Sequence, residues 1–363
     1  MNNPTPFAES LLSWYANNAR DLPWRIDVSA YTTWISEILL QQTRLNQGII
    51  YYHRFIERFP DISSLAEASE EEVLKLWQGL GYCSRARNLH EGVRQIIENY
   101  HGQIPSSFQE LKKIKGIGSY TAAAISSIVF HQAVPAIDGN AIRVFSRFMG
   151  INDPVDTSSG RISIEKAAYS LMDQQRPGDF NQAVMELGAL VCTPKRPACF
   201  SCPLINGCIA YREDKIDLIP SKHRKTRVKE RYIFYLVILS HAKNNMQVII
   251  KKRDQNDIWK GLYDFPSLEF DGPADKTAVI ESENLKIDFP YLSPAELKFT
   301  KGPSKHILSH RTLCLNFLVF ESTMLPAIKN KNHRVISIIE AINLPLLRPI
   351  EKFLEELIVG QIP

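Results

Sequence analysis

The sequence predicts a mainly α-helical N-terminal half followed by a smaller α+β C-terminal domain. Three observations support that reading. From residue 7 to about 215, apolar residues recur at three- and four-residue spacing between short turns such as ERFPD, GLGY, HGQIP and AIDGN, with few strand signals. The run KHRKTRVKER, Lys222 to Arg231, then holds six Lys or Arg and one His among ten residues and almost no apolar content. Beyond it the texture turns to β, with YIFYLVILS, MQVIIKK across a polar HAKNN turn, CLNFLVFES and RVISII, and IEKFLEELI reads as a closing helix. At 363 residues the chain exceeds one compact core, in keeping with domains at 1–215 and 232–363 joined by a basic linker at 216–231. The linker reads equally as a solvated connector or as a strap facing a polyanion.

Hydrophobic residues make up 44% and charged residues 23%, which excludes disordered and collagen-like classes. Net charge is +4 with a pI near 8.6, permitting a polyanionic partner without demanding one. MNNPTPFAESLLSWY lacks the basic and apolar regions of a secretion signal, and no apolar run approaches the ~18 residues of a membrane span. A cytoplasmic protein without membrane contact is therefore expected. In that reducing setting, clustered cysteines point to metal rather than disulfides.

Taken in order, the first helix of chemical interest is YTTWISEILL. Tyr31, Trp34 and Ile38 set an apolar stripe that Glu37 borders, with no Lys or Arg three or four residues on. Desolvation there raises a carboxyl pKa and keeps a proton available, although a helix glutamate taken alone reads as exposed. The polar QQT that follows is expected to interrupt the helix. In LKKIKGIGSYTAAAI, residues 111–125, two helices flank a glycine turn. Gly116 and Gly118 allow the bend, and the helix opening near Ser119 offers free N–H groups and a positive dipole end to phosphate. Asp138 precedes GNAIRVFSR as an N-cap, where the dipole keeps a carboxylate ionised.

Cys192, Cys199, Cys202 and Cys208 stand as C-x6-C-x2-C-x5-C in one loop, with Lys195 and Arg196 inside it either facing phosphate or simply exposed. Four thiolates suit a 4Fe-4S cluster or a tetrahedral zinc. One continuous loop favours the iron-sulfur cluster, since a zinc ribbon sets two C-x2-C knuckles well apart. Cys83 and Cys314 lie far away and read as small core residues.

Together these motifs resemble the endonuclease III superfamily of helix-hairpin-helix DNA glycosylases, and within it the MutY-type adenine DNA glycosylases. The likeness runs over nearly the whole chain through LPWR (22–25), SEILLQQTRL (36–45), GLGYCSRARNLH (79–90), KGIGSYTAAAI (115–125), AIDGNAIRVFSR (136–147), FNQAVMELGALVCT (180–193) and the cysteine loop. The resemblance implies a helix-hairpin-helix glycosylase fold with a 4Fe-4S cluster on the four cysteines. It also implies a monomer that hydrolyses the N-glycosidic bond of adenine opposite 8-oxoguanine or guanine in double-stranded DNA.

Breaking that bond leaves positive charge on the sugar and negative charge on the base, so an acid and a nearby carboxylate are wanted. By the resemblance, Glu37 protonates adenine at N7 and later helps activate water, and Asp138 stabilises the cationic sugar. Asn140 and Tyr120 assist by hydrogen bonding. Bifunctional members of the superfamily carry a lysine at the position of Tyr120, whose amine forms a Schiff base; a phenol cannot, so strand scission is not expected. The same resemblance sets Trp24, Arg25 and Glu186 around a flipped adenine and makes Gln42, Leu45 and Tyr82 wedges at the opposed base. It assigns Gly116, Gly118 and Thr121 to DNA phosphate.

IWKGLYDFPSLEF, residues 258–270, resembles the Nudix fold, yet the carboxylates that bind catalytic magnesium are absent after Gly261, so pyrophosphate cleavage is not expected. In MutY-type proteins this domain recognises 8-oxoguanine through a Phe-Ser-His loop. Leu308, Ser309 and His310 match it here, with leucine in place of the aromatic. Three other functions compete: a non-catalytic iron-sulfur DNA-binding module, an endonuclease III-like lyase and a Nudix nucleotide hydrolase. The Glu37 and Asp138 pair argues against the first, Tyr120 against the second, and the missing carboxylates against the third.

Overall fold

The computed structural model describes residues 4–362 except 224–228, 243, 244, 254–257, 271, 284, 286–288, 290, 291, 293, 294, 309, 310, 323, 324 and 326–331. Half of the basic run therefore lies outside the described residues. The chain packs as two compact units, Met1–Glu67 with Asn88–Lys225, and Ala68–Arg87 with Thr226–Pro363.

The helices up to residue 212 are α1 (Pro6–Asn18), α2 (Pro23–Ile26), α3 (Ala30–Leu40), α4 (Leu45–Arg58), α5 (Ile62–Glu67), α6 (Glu70–Trp77), α7 (Ser84–Tyr100), α8 (Phe108–Leu111), α9 (Ser119–Ile128), α10 (Gly139–Met149), α11 (Ser158–Leu171), α12 (Pro177–Leu190) and α13 (Ile209–Arg212). Local chemistry sets several of these ends. Thr5 caps α1, its Oγ1 accepting the N–H of Ala8 at 3.2 Å. Ser29 and Thr32 cap α3 reciprocally. α10 starts on the Asp138 side chain and stops at Gly150, whose φ of 62° is left-handed.

In the first unit, Phe7 and Leu11 of α1, Val144 and Phe145 of α10, Ile164 of α11, and Phe180 and Leu187 of α12 form one buried cluster. Each such side chain contributes about 1.5–3 kcal/mol through removal from water. The expected stripe on α3 is wider than the sequence suggests: Tyr31, Thr32, Thr33, Trp34, Ile35, Ser36, Ile38 and Leu39 are all buried. A helix enclosed on nearly every side runs through the core. It delivers Glu37 at its C-terminal end into protein rather than water.

The second unit holds a seven-stranded mixed sheet of β1 (Lys229–Ala242), β2 (Asn245–Lys252), β3 (Tyr263–Asp264), β4 (Ser267–Phe270), β5 (Glu296–Ile307), β6 (Arg311–Glu321) and β7 (His333–Ser337). The main path runs β3-β2-β1-β6-β5, with β4 on β1 and β7 on β2. β1 is parallel to β6 and antiparallel to β2 and β4. Every residue from Ile233 to Leu239 is buried, the pattern of a strand covered on both faces. Besides α6, which the division places in this unit, its described helices include α14 (Lys276–Glu281), α15 (Ile338–Ile342) and α16 (Arg348–Ile358). Under α16, the rings of Phe317 and Phe353 stack at 4.6 Å.

One sequence expectation changes here, and one strand was not foreseen. RVISII is not one strand, because β7 ends at Ser337, whose side chain forms a capping box with Glu340 and starts α15. β5 carries no strong strand signal, since its polar residues and Gly302-Pro303 hide a segment paired with β6 along most of its length.

Candidate active site

A cavity of about 640 Å³ opens in the first unit, and Glu37, Tyr120, Asp138 and Asn140 all line it. α3 supplies Glu37, the first turn of α9 supplies Tyr120, and the start of α10 supplies the other two. Tyr120 donates its hydroxyl to Glu37 Oε2 and lies 3.2 Å from Met185 Sδ. Burial pushes the Glu37 carboxyl up to about 7, the Tyr120 hydrogen bond pulls against it, and the charge of Asp138 adds to the rise. Part of Glu37 faces the cavity, but protein surrounds the carboxyl closely enough that desolvation dominates. Burial and the neighbouring Glu37 hold the Tyr120 phenol well above its ordinary value.

Asp138 Oδ1 accepts the N–H of Ala141 at 2.7 Å and Oδ2 accepts from Asn140 Nδ2 at 2.8 Å. The N-cap geometry read from the sequence is present. The direction of its pKa is not the one expected from the dipole alone: burial raises it, and the hydrogen bonds from Ala141 and Asn140 offset that rise only in part. The cavity thus sets an acid whose proton is retained to near pH 7 beside a multiply hydrogen-bonded carboxyl group, a pairing suited to splitting a glycosidic bond.

Trp24, Arg25 and Glu186 line the same cavity. Trp24 meets the Tyr52 ring edge-on at 5.2 Å, which fixes its plane. Glu186 is held by two arginines. Its oxygens accept from Arg20 Nε at 2.7 Å, Arg20 Nη2 at 2.9 Å and Arg25 Nη2 at 3.0 Å, and from the Arg20 backbone N–H at 3.0 Å. Those partners overcome burial and hold its carboxyl down at about 2. Arg20, Gln182 and Met185 are lining residues that sequence reasoning missed. The charge of Arg20, two residues before the LPWR motif, was the available signal.

Gln42, in the break between α3 and α4, and Leu45, the first residue of α4, sit at the cavity. Gln42 has φ of 58° and Tyr82 φ of 49°, left-handed conformations that cost about 1–3 kcal/mol and persist only where surrounding structure enforces them. Tyr82, in the second unit, is 42% exposed with the Arg85 guanidinium 5.6 Å from its ring centre.

Gly116 needs glycine, because φ is 82° and a Cβ would lie 3.0 Å from the Asn88 backbone. Gly118 has φ of −83° and open space around it, so the value of glycine there is an unobstructed backbone at the start of α9. Thr121 is buried and its Oγ1 faces Gln41 Nε2 at 3.5 Å, so its backbone N–H in the first turn of α9, rather than its hydroxyl, is the group placed at the helix opening. Leu308 is half-buried, with its N–H donating to Arg311 O at 2.8 Å. Ser309 and His310 lie outside the described residues.

Cys192, Cys199, Cys202 and Cys208 are half-buried free thiols in one loop, while Cys83 and Cys314 are buried. Burial, with the neighbouring cysteines adding to it, raises Cys202 to about 11. Arg147 donates Nη1 to Cys192 Sγ at 3.4 Å and to Thr193 O at 2.8 Å, so a charged donor already supports one sulfur. Arg143, one turn earlier on α10, donates to Asn140 Oδ1 at 2.9 Å and to Cys192 O at 2.6 Å. Among the described residues no three His, Cys, Asp or Glu side chains converge on a point that could hold one metal ion. Four half-buried thiols in one loop, one of them already receiving a hydrogen bond from Arg147, are a donor set of the kind a cuboidal cluster uses, with each thiolate on a different iron. Lys195 and Arg196 are exposed in the same loop.

Two family models match the chain, an HhH-GPD superfamily base excision DNA repair protein over residues 35–165 and a NUDIX domain over residues 235–356. An adenine DNA glycosylase of Buchnera aphidicola subsp. Acyrthosiphon pisum is 33% identical over 356 residues, which cover 96% of this chain and 97% of that one. Its counterpart in Buchnera aphidicola subsp. Schizaphis graminum is 40% identical over 268 residues, 72% of this chain and 75% of the relative. The Rattus norvegicus protein of the same name is 46% identical over 217 residues, and the match spans only 42% of its length. Among solved structures, a thermostable thymine-DNA glycosylase superposes with a TM-score of 0.53 at 26% identity, covering 57% of this chain and 95% of that one. An endonuclease III–DNA complex does so at 0.50 and 21% identity, a likeness of fold over the same share. No described helix is long and apolar enough to cross a membrane. The chain belongs to the adenine DNA glycosylase family and is a DNA N-glycosylase of base excision repair, with an HhH-GPD helical fold and a C-terminal Nudix-like domain.

Proposed function

We propose that the chain is a monofunctional glycosylase that hydrolyses the N-glycosidic bond of adenine paired with 8-oxoguanine, or with guanine, in duplex DNA and leaves the strand intact. The observation carrying this reading is the cavity in which Glu37, held near 7 by burial, meets Asp138, while Tyr120 stands where a Schiff-base lysine would be. Glu37 gives its proton to adenine N7, the C1′–N9 bond breaks with its electron pair leaving on the base, and C1′ becomes cationic. Asp138, fastened by Ala141 and Asn140, stabilises that cation. Water then adds to C1′ and returns a proton to the Glu37 carboxylate, which restores the acid. Tyr120 orients Glu37 and offers no amine, so strand cleavage has no covalent route.

Around that chemistry, Trp24 supplies a π-face to the extruded adenine, and the Glu186 carboxylate anchors Arg20 and Arg25 at the cavity wall. Gln42, Leu45 and Tyr82 fill the gap opposite the extruded base, and the backbone N–H groups at Gly116, Gly118 and Thr121 take phosphate. Leu308, Ser309 and His310 recognise the opposing 8-oxoguanine from the Nudix-like domain, with residues 1–215 as the catalytic region, 216–231 as linker and 232–363 as the recognition region. Cys192, Cys199, Cys202 and Cys208 would hold a 4Fe-4S cluster, which when bound cross-links their loop. The enzyme acts as a monomer in the cytoplasm.

Single-turnover assays on adenine:8-oxoguanine and adenine:guanine duplexes, with strand scission scored separately, test the reading. Excision without scission supports it, and Glu37→Gln or Asp138→Asn abolishes excision while sparing DNA binding. Retention of wild-type rates in either variant, or a borohydride-trapped covalent adduct with the DNA, overturns it.

A further inference from the structure

A second, smaller cavity lies within the other unit, between β5, β6 and the first turns of α16. It measures about 210 Å³, below the ~300–1,000 Å³ of pockets that enclose drug-sized ligands, so it suits a small ion. Lys301, Lys305, Arg348 and Lys352 line it against a single lining carboxylate, Glu356. Local pairing accounts for two of those cations: Lys301 pairs with Glu356, and Arg348 reaches Glu351 and, at 3.7 Å, Glu355. Lys305 and Lys352 make no ion pair among the described residues, and both side chains are exposed.

Cations gathered at one hollow repel one another unless an anion joins them, and low-dielectric walls strengthen both effects. The floor here is apolar, formed by the stacked rings of Phe317 and Phe353. Ser304 adds a hydroxyl to the lining, and His306, kept neutral by burial, adds a donor without further charge.

We propose that this cavity binds a phosphate group, with Lys305 and Lys352 as its main cationic donors and Ser304 as a neutral one. Lysine ammonium groups act on phosphate as mobile point charges, which suits a site open on one side. The phosphate has two possible sources with the same recognition chemistry, the backbone of duplex DNA and the tail of a free nucleoside triphosphate.

The test titrates the full chain with inorganic phosphate, with deoxyguanosine triphosphate, and with a fluorescent duplex that contains no mispair. The fully matched duplex keeps the outcome independent of base excision. Wild type is compared with Lys305→Gln/Lys352→Gln and with Lys305→Arg/Lys352→Arg, each checked for folding by thermal melting. Each lost phosphate contact lowers the slope of log affinity against log salt by about 0.9. The glutamine pair is therefore expected to lower the duplex slope by about 1–2 and to weaken duplex binding several-fold, with the arginine pair restoring both. An unchanged duplex slope with loss of triphosphate and inorganic phosphate binding assigns the site to free nucleotides. Unchanged duplex slope together with unchanged or absent phosphate and triphosphate binding overturns the proposal. Should the double variant fail to fold, the single exposed-lysine variants carry the same comparison.

Discussion

Replacing Tyr120 with phenylalanine tests the electrostatics of the active-site cavity more sharply than deleting the acid. Burial is the largest influence on the Glu37 carboxyl, and the hydrogen bond from Tyr120 is the largest that opposes it. Removing that donor leaves the carboxylate without its best partner, so the protonated form gains and the pKa rises further. A hydrogen bond to a charged group is worth about 1.5–3 kcal/mol. At 1.36 kcal/mol per pKa unit this is about one to two units. Because Glu37 partly faces the cavity, water replaces some of the loss, and a shift of about one unit is expected.

With its pKa at about 7, wild-type Glu37 is about half protonated at neutral pH, and the acid form falls about tenfold per pH unit above it. The alkaline limb of the excision rate should begin near 7 in the wild type and about one unit higher in Tyr120→Phe. Single-turnover excision measured from about pH 5 to 9 reads the limb directly, whatever the absolute rate. An alkaline limb that stays in place or moves down refutes the reasoning.

The raised Glu37 pKa also bears on stability, because the folded protein holds a proton that the unfolded chain releases. The associated stability is complete below the unfolded value near 4.5 and is lost as pH rises through about 7, a penalty on the order of 3 kcal/mol at alkaline pH. Glu37→Gln removes that penalty, so the variant should melt above the wild type at alkaline pH by calorimetry, and equal melting points would count against it. Glu186 works in the opposite sense. Its folded value near 2 gives stability that is complete above about 4.5 and lost as pH falls towards 2, and Glu186→Gln should cost about 2–4 kcal/mol by denaturant unfolding at neutral pH. A Cβ at Gly188 would lie 2.6 Å from Asn140 Cβ, so Gly188→Ala should displace Asn140, lower excision at least about tenfold and cost about 1–3 kcal/mol. An unchanged rate would show that the position of Asn140 does not matter. Cys202→Ser should lower bound iron well below about four per chain and lower the melting temperature; full iron content in the purified variant would remove that cysteine from the ligand set.

Much of the site was legible because its signals are local. Glu37 stands out as a helix carboxylate without a cation three or four residues on, and Asp138 as an acid directly before a helical segment. QQT breaks α3 as its polarity suggested, and the cysteines announce themselves by spacing alone. What stayed hidden depends on distant partners. Nothing near Glu186 in the chain announces its partner, because Arg20 lies 166 positions earlier. Nothing near Thr121 in the chain shows that its hydroxyl faces Gln41, 80 positions earlier. β5 has too little apolar alternation to be seen as a strand, and only pairing with β6 makes it one.

The sequence by itself determined where helices start, where they break, and that position 120 carries a phenol rather than an amine. These follow from capping, periodicity and side-chain chemistry, all set within a few residues. Tertiary structure decided the acidity of Glu37, the ionic anchoring of Arg20 and Arg25, and the gathering of lysines around the cavity beside α16. Desolvation and Coulomb energies depend on distance through space, and chain order carries no record of that distance until the fold exists.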